Sequence, residues 1–193
     1  GDVYKRQELA KMLRDDDLRV AARALMCFSS NSNQWTDSFT LFGDLEQLLN
    51  RLEKRSTTLD SIVWPWWKIE IERSDVAEAM SANSNGLPAA RMLPYIKDLG
   101  TYQRESFIRR LAGLPDSRWS SGPIEPKPLK GQEYDAVLDL LGDTSPDVRR
   151  TAFEALRCTK AEPKETDRIV GLLHRKAGDL RNHCLTRLRS LPD

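Results

Sequence analysis

The chain has 193 residues, of which 31% are charged, and its formal net charge is +1. This length suits one domain or four to six stacked helix pairs, and the near-neutral charge gives no global signal for a nucleic-acid or membrane partner. No apolar run approaches the roughly 20 residues of a membrane-spanning helix. The three cysteines, Cys27, Cys158 and Cys184, are scattered through helical patterns. We therefore expect a cytoplasmic protein without disulfides or a metal site.

The first residues differ in character from the rest. Residues 1–7 read like a translated sequencing adapter of the kind found at the ends of metagenomic reading frames, so we expect them to be a non-native tail of a bacterial fragment. The remainder, 8–193, is predicted to form a single domain. Apolar residues at helical spacing then predict helices over about 7–14, 17–28 and 43–54.

The helical pattern stops near a cluster of tryptophans. Pro65 lies inside the run Trp64-Pro65-Trp66-Trp67, and proline does not easily continue a helix. Apolar and charged side chains then alternate strictly over 67–72. This period of two predicts a short extended segment near 66–72, which would lie across a helix face or pair with a partner strand.

Helical spacing resumes after this segment. Asp75 and Glu78 have the spacing of a capping box, and Pro94 should kink or interrupt the helix that contains it. A proline-rich loop at about 114–131 is the best internal boundary, between N-terminal and C-terminal groups of helices. The predicted helices in this part of the chain cover about 75–82, 87–98, 101–113, 132–141, 146–158, 165–176 and 179–191.

One short phrase begins three of the helical patterns. It consists of Asp, then Leu or Val, then Arg, with a small residue three positions after the Arg and a large apolar residue seven positions after it. Its charged members are Asp17, Arg19, Asp147, Arg149, Asp179 and Arg181. A helical pair that recurs at roughly 30 to 45 residues is typical of an α-solenoid.

This phrase resembles HEAT repeats, with a good match over about 132–191 and 8–28 and a weak one elsewhere. The resemblance implies an all-α fold, a right-handed α-solenoid of stacked antiparallel helix pairs. It also implies that the six Asp and Arg residues interlock between neighbouring repeats as a structural ladder. A neighbouring Arg can bridge successive turns with several donors, and anion binding by the Arg series is the alternative interpretation.

Residue patterns that carry catalysis are missing from the sequence. It has no glycine-rich nucleotide-binding motif, no HExxH and no GxSxG. His174 and His183 are the only histidines, and adjacent His183 and Cys184 would point about 100° apart on a helix. We therefore expect no enzyme activity, no cofactor and no metal. The locally basic C-terminal part is either a solvated helix surface or a phosphate-contacting groove.

The tryptophans have two interpretations. The rings of Trp64, Trp66 and Trp67 could fill space between helix pairs where the repeat pattern fails, or they could be an exposed anchor for a partner. Trp35 and Trp119 lie in polar loops and raise the same question. We take Trp64, Trp66, Trp67 and Trp119 as candidate partner-binding residues.

The leading hypothesis is a non-catalytic helical-repeat scaffold or sensing segment that binds another protein or another domain of a longer chain. One alternative is nucleic-acid binding of the kind found in HEAT-like alkylpurine DNA glycosylases, although no motif here matches their catalytic acid or DNA-contacting aromatics. A second alternative is a HEAT protein similar to chromophore lyases, which should have a deep apolar pocket between repeats.

Overall fold

The structure is a computed structural model that describes residues 2–29, 41–64, 66–84, 87–115 and 126–191. Within these residues the chain is mostly helical, with nine α-helices and one small two-stranded sheet. The chain divides into two compact units, Gly1–Gly100 and Thr101–Asp193. The sequence predicted one domain with its boundary in the loop 114–131, a stretch that lies inside the second unit.

The first unit contains four helices and the sheet. Its elements are α1 (Asp2–Leu13), α2 (Leu18–Ser29), α3 (Phe42–Arg51), β1 (Ser56–Asp60), β2 (Lys68–Glu72) and α4 (Arg73–Ala82). Helix α1 packs on α2 and on α3, and α3 packs on α4. Leu13, Leu45, Leu48 and Met80 are among the side chains that these contacts bury. Each is apolar and recurs at helical spacing, which is why the sequence located these helices.

The two strands form an antiparallel hairpin that lies against α2 and α4. Thr58 is opposite Glu70 in the register, and the outer pairs are Ser56 with Glu72 and Asp60 with Lys68. Strand β2 has alternating exposure, so Ile69 and Ile71 are buried while its three charged residues face solvent. Both strands contact α2, and β2 also contacts α4. The predicted extended segment near 66–72 is therefore confirmed, and its partner is the preceding strand β1.

The second unit is helical throughout its described part. Its elements are α5 (Thr101–Ala112), α6 (Gly131–Leu140), α7 (Pro146–Arg157), α8 (Thr166–Leu173) and α9 (Gly178–Leu188), with a 3-10 turn at Pro163–Glu165 before α8. Helix α7 is central, since it packs against α5, α6 and α9. Its buried side chains include Val148, Ala152 and Leu156, which follow the helical period of the repeated phrase. Pro146 occupies its first turn, where a proline costs no hydrogen bond.

Three sequence predictions need correction. The helix predicted over 87–98 is replaced by two 3-10 turns, Ala89–Arg91 and Leu93–Tyr95, because Pro88 and Pro94 interrupt the α-helical hydrogen bonds. The capping box of α4 uses Glu72 and Asp75 instead of Asp75 and Glu78, since the helix begins earlier, at Arg73. The all-α prediction holds only as a mostly helical fold, because the chain also contains the β1–β2 hairpin.

Arginine side chains bind the carboxyl ends of helices in both units. Arg73 donates to the carbonyl oxygens of Leu49 (2.9 Å) and Leu52 (2.6 Å) at the end of α3, and its other nitrogens bind the Asp98 carboxylate. Arg187 binds the end of α7 in the same way. Free carbonyl groups and the negative end of the helix dipole favour a cation there. Arg73 and Arg187 therefore each bind a helix end to another part of the same unit.

Candidate partner-binding site

The connection between β1 and β2 is ordered by its own hydrogen bonds. The amide of Ser61 donates to the carbonyl oxygen of Trp67 (3.0 Å), and the amide of Trp67 donates to that of Trp64 (2.9 Å). The Ser61 hydroxyl oxygen accepts from the amides of Val63 (3.3 Å) and Trp64 (3.2 Å). Local hydrogen bonds therefore fix the backbone of the connection that carries the large apolar side chains.

Five large apolar side chains on this connection are exposed, and we call them the apolar tip: Ile62, Val63, Trp64, Trp66 and Trp67. Trp66 is 78% exposed, and the other four are between 47% and 61% exposed. The rings of Trp64 and Trp66 contact each other with centroids 5.3 Å apart. The interpretation of these rings as a buried filler is therefore wrong, and they form an exposed apolar cluster.

The apolar tip carries no charge of its own. Residues 61–67 contain no ionisable side chain, and the flanking Asp60 and Lys68 form an ion pair with each other. The hydrogen bond from Lys68 lowers the pKa of the Asp60 carboxyl. The two flanking residues thus add no net charge to the base of the tip, and Arg19, whose charge also acts on Asp60, is bound to Asp17. Among the described residues, no helix combines the length and apolar character needed to cross a bilayer.

The fourth candidate partner-binding residue, Trp119, lies outside the described residues, as does Trp35. The apolar tip therefore consists of three of the predicted tryptophans and two aliphatic residues that the sequence analysis did not select. In the sequence, Ile62 and Val63 lie where the helical pattern ends, so periodicity does not single them out. The signal that could have found them is the run Ser56-Thr57-Thr58-Leu59, whose β-branched threonines favour a strand that would turn at this point.

The predicted ladder residues are arranged differently in the two units. In the first unit, Arg19 binds Asp17 of its own phrase, with its guanidinium 2.6 Å from one carboxylate oxygen. The hydrogen bonds from the Arg19 side chain and backbone lower the pKa of Asp17 to about 2. Asp17 remains ionised at any physiological pH, and the pair lies at the start of α2, within one phrase.

In the second unit the pairing connects successive helices. The Arg149 side chain on α7 lies 2.7 Å from Asp179 on α9, and it also donates to the carbonyl oxygens of Asp143 (2.9 Å) and Thr144 (3.0 Å). Arg104 on α5 lies 3.2 Å from Asp143, in the turn before α7. The other two ladder candidates do not join this chain of contacts: Asp147 pairs with Arg150, and Arg181 is exposed.

Several of the basic residues in the C-terminal part are neutralised locally. Arg168 pairs with Asp135 and Asp139 on α6, and Arg175 donates to the carbonyl oxygen of Gly142. Together with Arg149 and Arg187, these side chains bind carboxylates and helix ends within the unit. Exposed basic residues that form no ion pair within the described part of the chain include Arg157, Lys160, Lys176, Arg181 and Arg189.

The histidines and cysteines form no metal-binding cluster among the described residues. His183 stacks on Phe153 with ring centroids 4.4 Å apart, and burial lowers the pKa of its imidazole. His174 is exposed, while Cys184 is buried and Cys27 is exposed. In the described ranges no three His, Cys, Asp or Glu side chains come close enough to hold a metal ion. Phe153 and His183 contribute to the packing of α7 on α9.

Comparison with known families gives one match, which covers residues 7–193. The matching model is described as a family of unknown function, DUF5724. The chain belongs to this family. No curated protein and no solved structure matches the chain. The family match includes both compact units and the apolar tip, so the hairpin and the helices around it are parts of one family sequence.

Proposed function

We propose that this chain is a non-catalytic, HEAT-like helical scaffold that binds another protein, or another domain of a longer chain, through its apolar tip. The observation that carries the proposal is the exposure of five large apolar side chains on a connection whose backbone is internally hydrogen-bonded. Tryptophan is the residue most enriched at the energetic centres of protein interfaces, because one ring buries a large area at little entropic cost.

The arrangement of the second unit supports the scaffold part of the proposal. Helices α5, α7 and α9 pack in succession, and α7 and α9 carry the repeated phrase. The ion pairs of Arg104 with Asp143 and of Arg149 with Asp179 follow the same succession. In a right-handed α-solenoid the inner helices of neighbouring pairs would have such contacts.

Nucleic-acid binding is the weaker proposal. Phosphate contacts need several unpaired cations on one surface. Arg149, Arg168 and Arg175 bind carboxylates or carbonyl groups of the second unit, so such contacts would fall to exposed cations such as Arg157, Arg181 and Arg189. The apolar tip supplies aromatic rings that could stack on bases, but its flanking charges cancel. A protein surface with an apolar cleft is the better match for an uncharged tip.

Site-specific photocrosslinking tests the proposal. A photoreactive benzoylphenylalanine replaces Trp66 in the full chain, which is expressed and irradiated in its native cell. We expect a discrete protein adduct at this position, and the same adduct should disappear when Trp64 and Trp67 are both replaced by alanine. The matched control places the photoreactive residue at Val170, an exposed apolar position on α8.

Equal adducts at the Trp66 and Val170 positions would contradict the proposal. Flotation with phosphatidylcholine vesicles tests whether the tip binds lipid instead. If the parent chain floats with the vesicles and the Trp66→Ala, Trp67→Ala variant does not, the tip binds a bilayer surface. Stability of this variant should stay within about 0.5 kcal/mol of the parent, because both rings are exposed. A larger loss would show that the tip is part of the folded core.

A further inference from the structure

Beside the apolar tip, the hairpin has an outer edge, along β1, whose backbone groups lack a neighbouring strand. In an antiparallel pair, residues alternate between those that bind the partner strand and those whose backbone groups point outward. The amide of Ser61 donates to Trp67 and that of Arg73 donates to Arg55, so the odd-numbered positions of β1 face β2. The amide and carbonyl groups of Thr58 and Asp60 therefore point away from the sheet.

Among the described residues, no hydrogen bond is made by these outward backbone groups of Thr58 and Asp60. The outer edge of β2 is different, because the outward amide of Glu72 donates to the Asp75 carboxylate in the capping box of α4. Strand β2 continues directly into α4, which binds the outward amide at the end of the strand. The edge of β1 has no comparable element attached to its outward groups.

The composition of β1 also leaves its edge unprotected. Natural edge strands are usually blocked by lysine, proline or a bulge, which prevent pairing with another chain. Strand β1 reads Ser-Thr-Thr-Leu-Asp, with no lysine or proline, and its register with β2 has no bulge. Its one charged residue, Asp60, lies at the end of the strand and is bound by Lys68. Strand β2, in contrast, places Lys68, Glu70 and Glu72 on its exposed face. An open edge made of strand-forming residues favours pairing with an added strand.

We propose that the partner of the apolar tip presents an extended segment that pairs with β1 as a third strand of the sheet. This inference rests on the proposed function and names the kind of partner. Main-chain hydrogen bonds to Thr58 and Asp60 supply affinity that does not depend on sequence. Ile62 and Val63 follow β1 after one residue, Ser61, so a segment that continues past Asp60 meets the apolar tip and is selected there for apolar or aromatic side chains.

The charge at this end of the hairpin supports the same chemistry. Asp60 is bound by Lys68 and lies within the field of Arg19, which is itself bound to Asp17, so these charged groups already have partners within the first unit and need none from the segment. Thr58, the outward position in the middle of β1, is an exposed neutral residue whose side chain adds a hydroxyl group to the same surface. The recognised segment is therefore extended, uncharged next to the tip, and apolar at the residue that contacts it.

A displayed library of random short peptides is the probe, selected on the full chain. Binding of the recovered peptides is then measured for the parent and for Thr58→Pro, which removes one outward amide and leaves the hydrogen bonds between β1 and β2 intact. We expect about a tenfold loss of affinity, as for one or two lost hydrogen bonds. Thr58→Val, which retains the amide at the same position, should bind within about twofold of the parent.

A second measurement keeps the inference falsifiable if Thr58→Pro does not fold. Methylating the peptide backbone nitrogens one at a time should abolish binding at alternate residues only, because a paired strand directs every second amide to its neighbour. Uniform tolerance of methylation, recovery of helical peptides, or failure to recover any peptide would overturn the inference. Concentration-dependent dimers of the parent that Thr58→Pro dissociates would assign the edge to a second copy of the chain instead.

The outcomes separate this inference from the proposed function. Peptides that lose affinity for the Trp66→Ala, Trp67→Ala variant but bind Thr58→Pro normally would leave the apolar tip as the partner site and remove β1 pairing. Peptides that lose affinity for Thr58→Pro and are indifferent to the tryptophans would retain β1 pairing and remove the apolar tip. Loss of affinity in both variants, together with alternate sensitivity to methylation, is the result expected if one partner segment uses both features.

Discussion

The side chain of Arg187 shows how individual charges stabilise the second unit. It is buried on α9, and its guanidinium binds both oxygens of the buried Glu165 carboxylate at 2.9 and 3.0 Å. Its remaining nitrogen donates to the carbonyl oxygens of Leu156 (2.7 Å) and Thr159 (2.8 Å) at the end of α7. The Tyr134 hydroxyl also donates to Glu165. All charges in this cluster are therefore paired, as burial requires.

Replacing Arg187 by alanine should lower the free energy of unfolding by about 3–5 kcal/mol, because Glu165 would remain as an unpaired buried carboxylate. The carbonyl groups at the end of α7 would lose a donor as well. Urea denaturation followed by circular dichroism measures the change. The matched control is Arg189→Ala, two positions later and exposed, which should cost less than about 0.5 kcal/mol. Similar losses for both variants would contradict a structural role specific to Arg187.

Residue contacts of this kind also bear on the ladder interpretation. Asp17 and Arg19 pair within one turn, while Arg149 reaches from α7 to Asp179 on α9. The same sequence phrase thus produces two different contacts. The difference arises because a guanidinium binds whichever carboxylate the surrounding helices bring within reach. Sequence spacing determines which residues are available for pairing, but not which of them become partners.

At the scale of single elements, the start of α6 depends on one glycine. Gly131 is the first residue of the helix and has a φ of +53°, in the left-handed region that other residues avoid. A Cβ atom added there would meet no atom within 4 Å, so the constraint comes from the backbone alone. Gly178, at the first position of α9, also has open space around it but has no positive φ.

Gly131→Ala should therefore destabilise the chain by about 1–2 kcal/mol through backbone strain. Gly178→Ala should leave stability unchanged or raise it by about 0.4–1 kcal/mol, because alanine restricts the unfolded chain more than glycine does. Both values come from the midpoints of urea denaturation curves. Lower stability for Gly131→Ala, and equal or higher stability for Gly178→Ala, is the expected result. An equally neutral Gly131→Ala variant would mean that α6 can begin without the left-handed residue.

The hairpin is the other informative element. Its inner face is explained by burial of Ile69 and Ile71 against helices of the first unit, which follows from the alternation in the sequence. The free edge of β1 and the apolar tip are both exposed, so neither stabilises the fold of the described residues. Exposed groups of this size are unusual on a monomer surface and are typical of interaction sites. The partner proposals therefore concern this element.

At the scale of the whole molecule, the chain contains two units with their own buried residues. In the second unit the buried or half-buried charges have their partners inside the same unit: Arg104 with Asp143, Arg109 with Glu105, Arg149 with Asp179, and Arg187 with Glu165. The apolar core of α5, α6, α7 and α9 is likewise built from residues after Gly100. These are the properties of a segment that folds by itself.

A fragment of residues 101–193 should thus be helical and should unfold cooperatively in urea. The expected observations are a helical circular dichroism spectrum and a single sigmoidal transition. In this fragment, Arg187→Ala should lower the midpoint as it does in the full chain, which confirms that the same cluster forms. A fragment with a broad, non-cooperative transition would show that the second unit depends on the first for its fold.

Most of the helices could be predicted from the sequence, because their apolar residues recur at the period of a helix and their ends carry Pro, Gly, Asp or Ser. Helix α7 was located within one residue in this way, and β2 was found by its period of two. The prediction of a helix over 87–98 was wrong because two prolines favour 3-10 turns over a continuous helix. Strand β1 was not predicted, because five residues with weak alternation give little signal until a partner strand is known.

The sequence by itself determined that this chain is mostly helical, where the repeated Asp and Arg phrase lies, and that three tryptophans interrupt the pattern. These properties are local, since they depend on backbone propensity and on the spacing of apolar residues along one element. Only the tertiary structure decided that Trp64, Trp66 and Trp67 are exposed, that β1 keeps a free edge, and that Arg149 reaches Asp179. Exposure and pairing depend on residues distant in the sequence, which approach one another only when the chain folds.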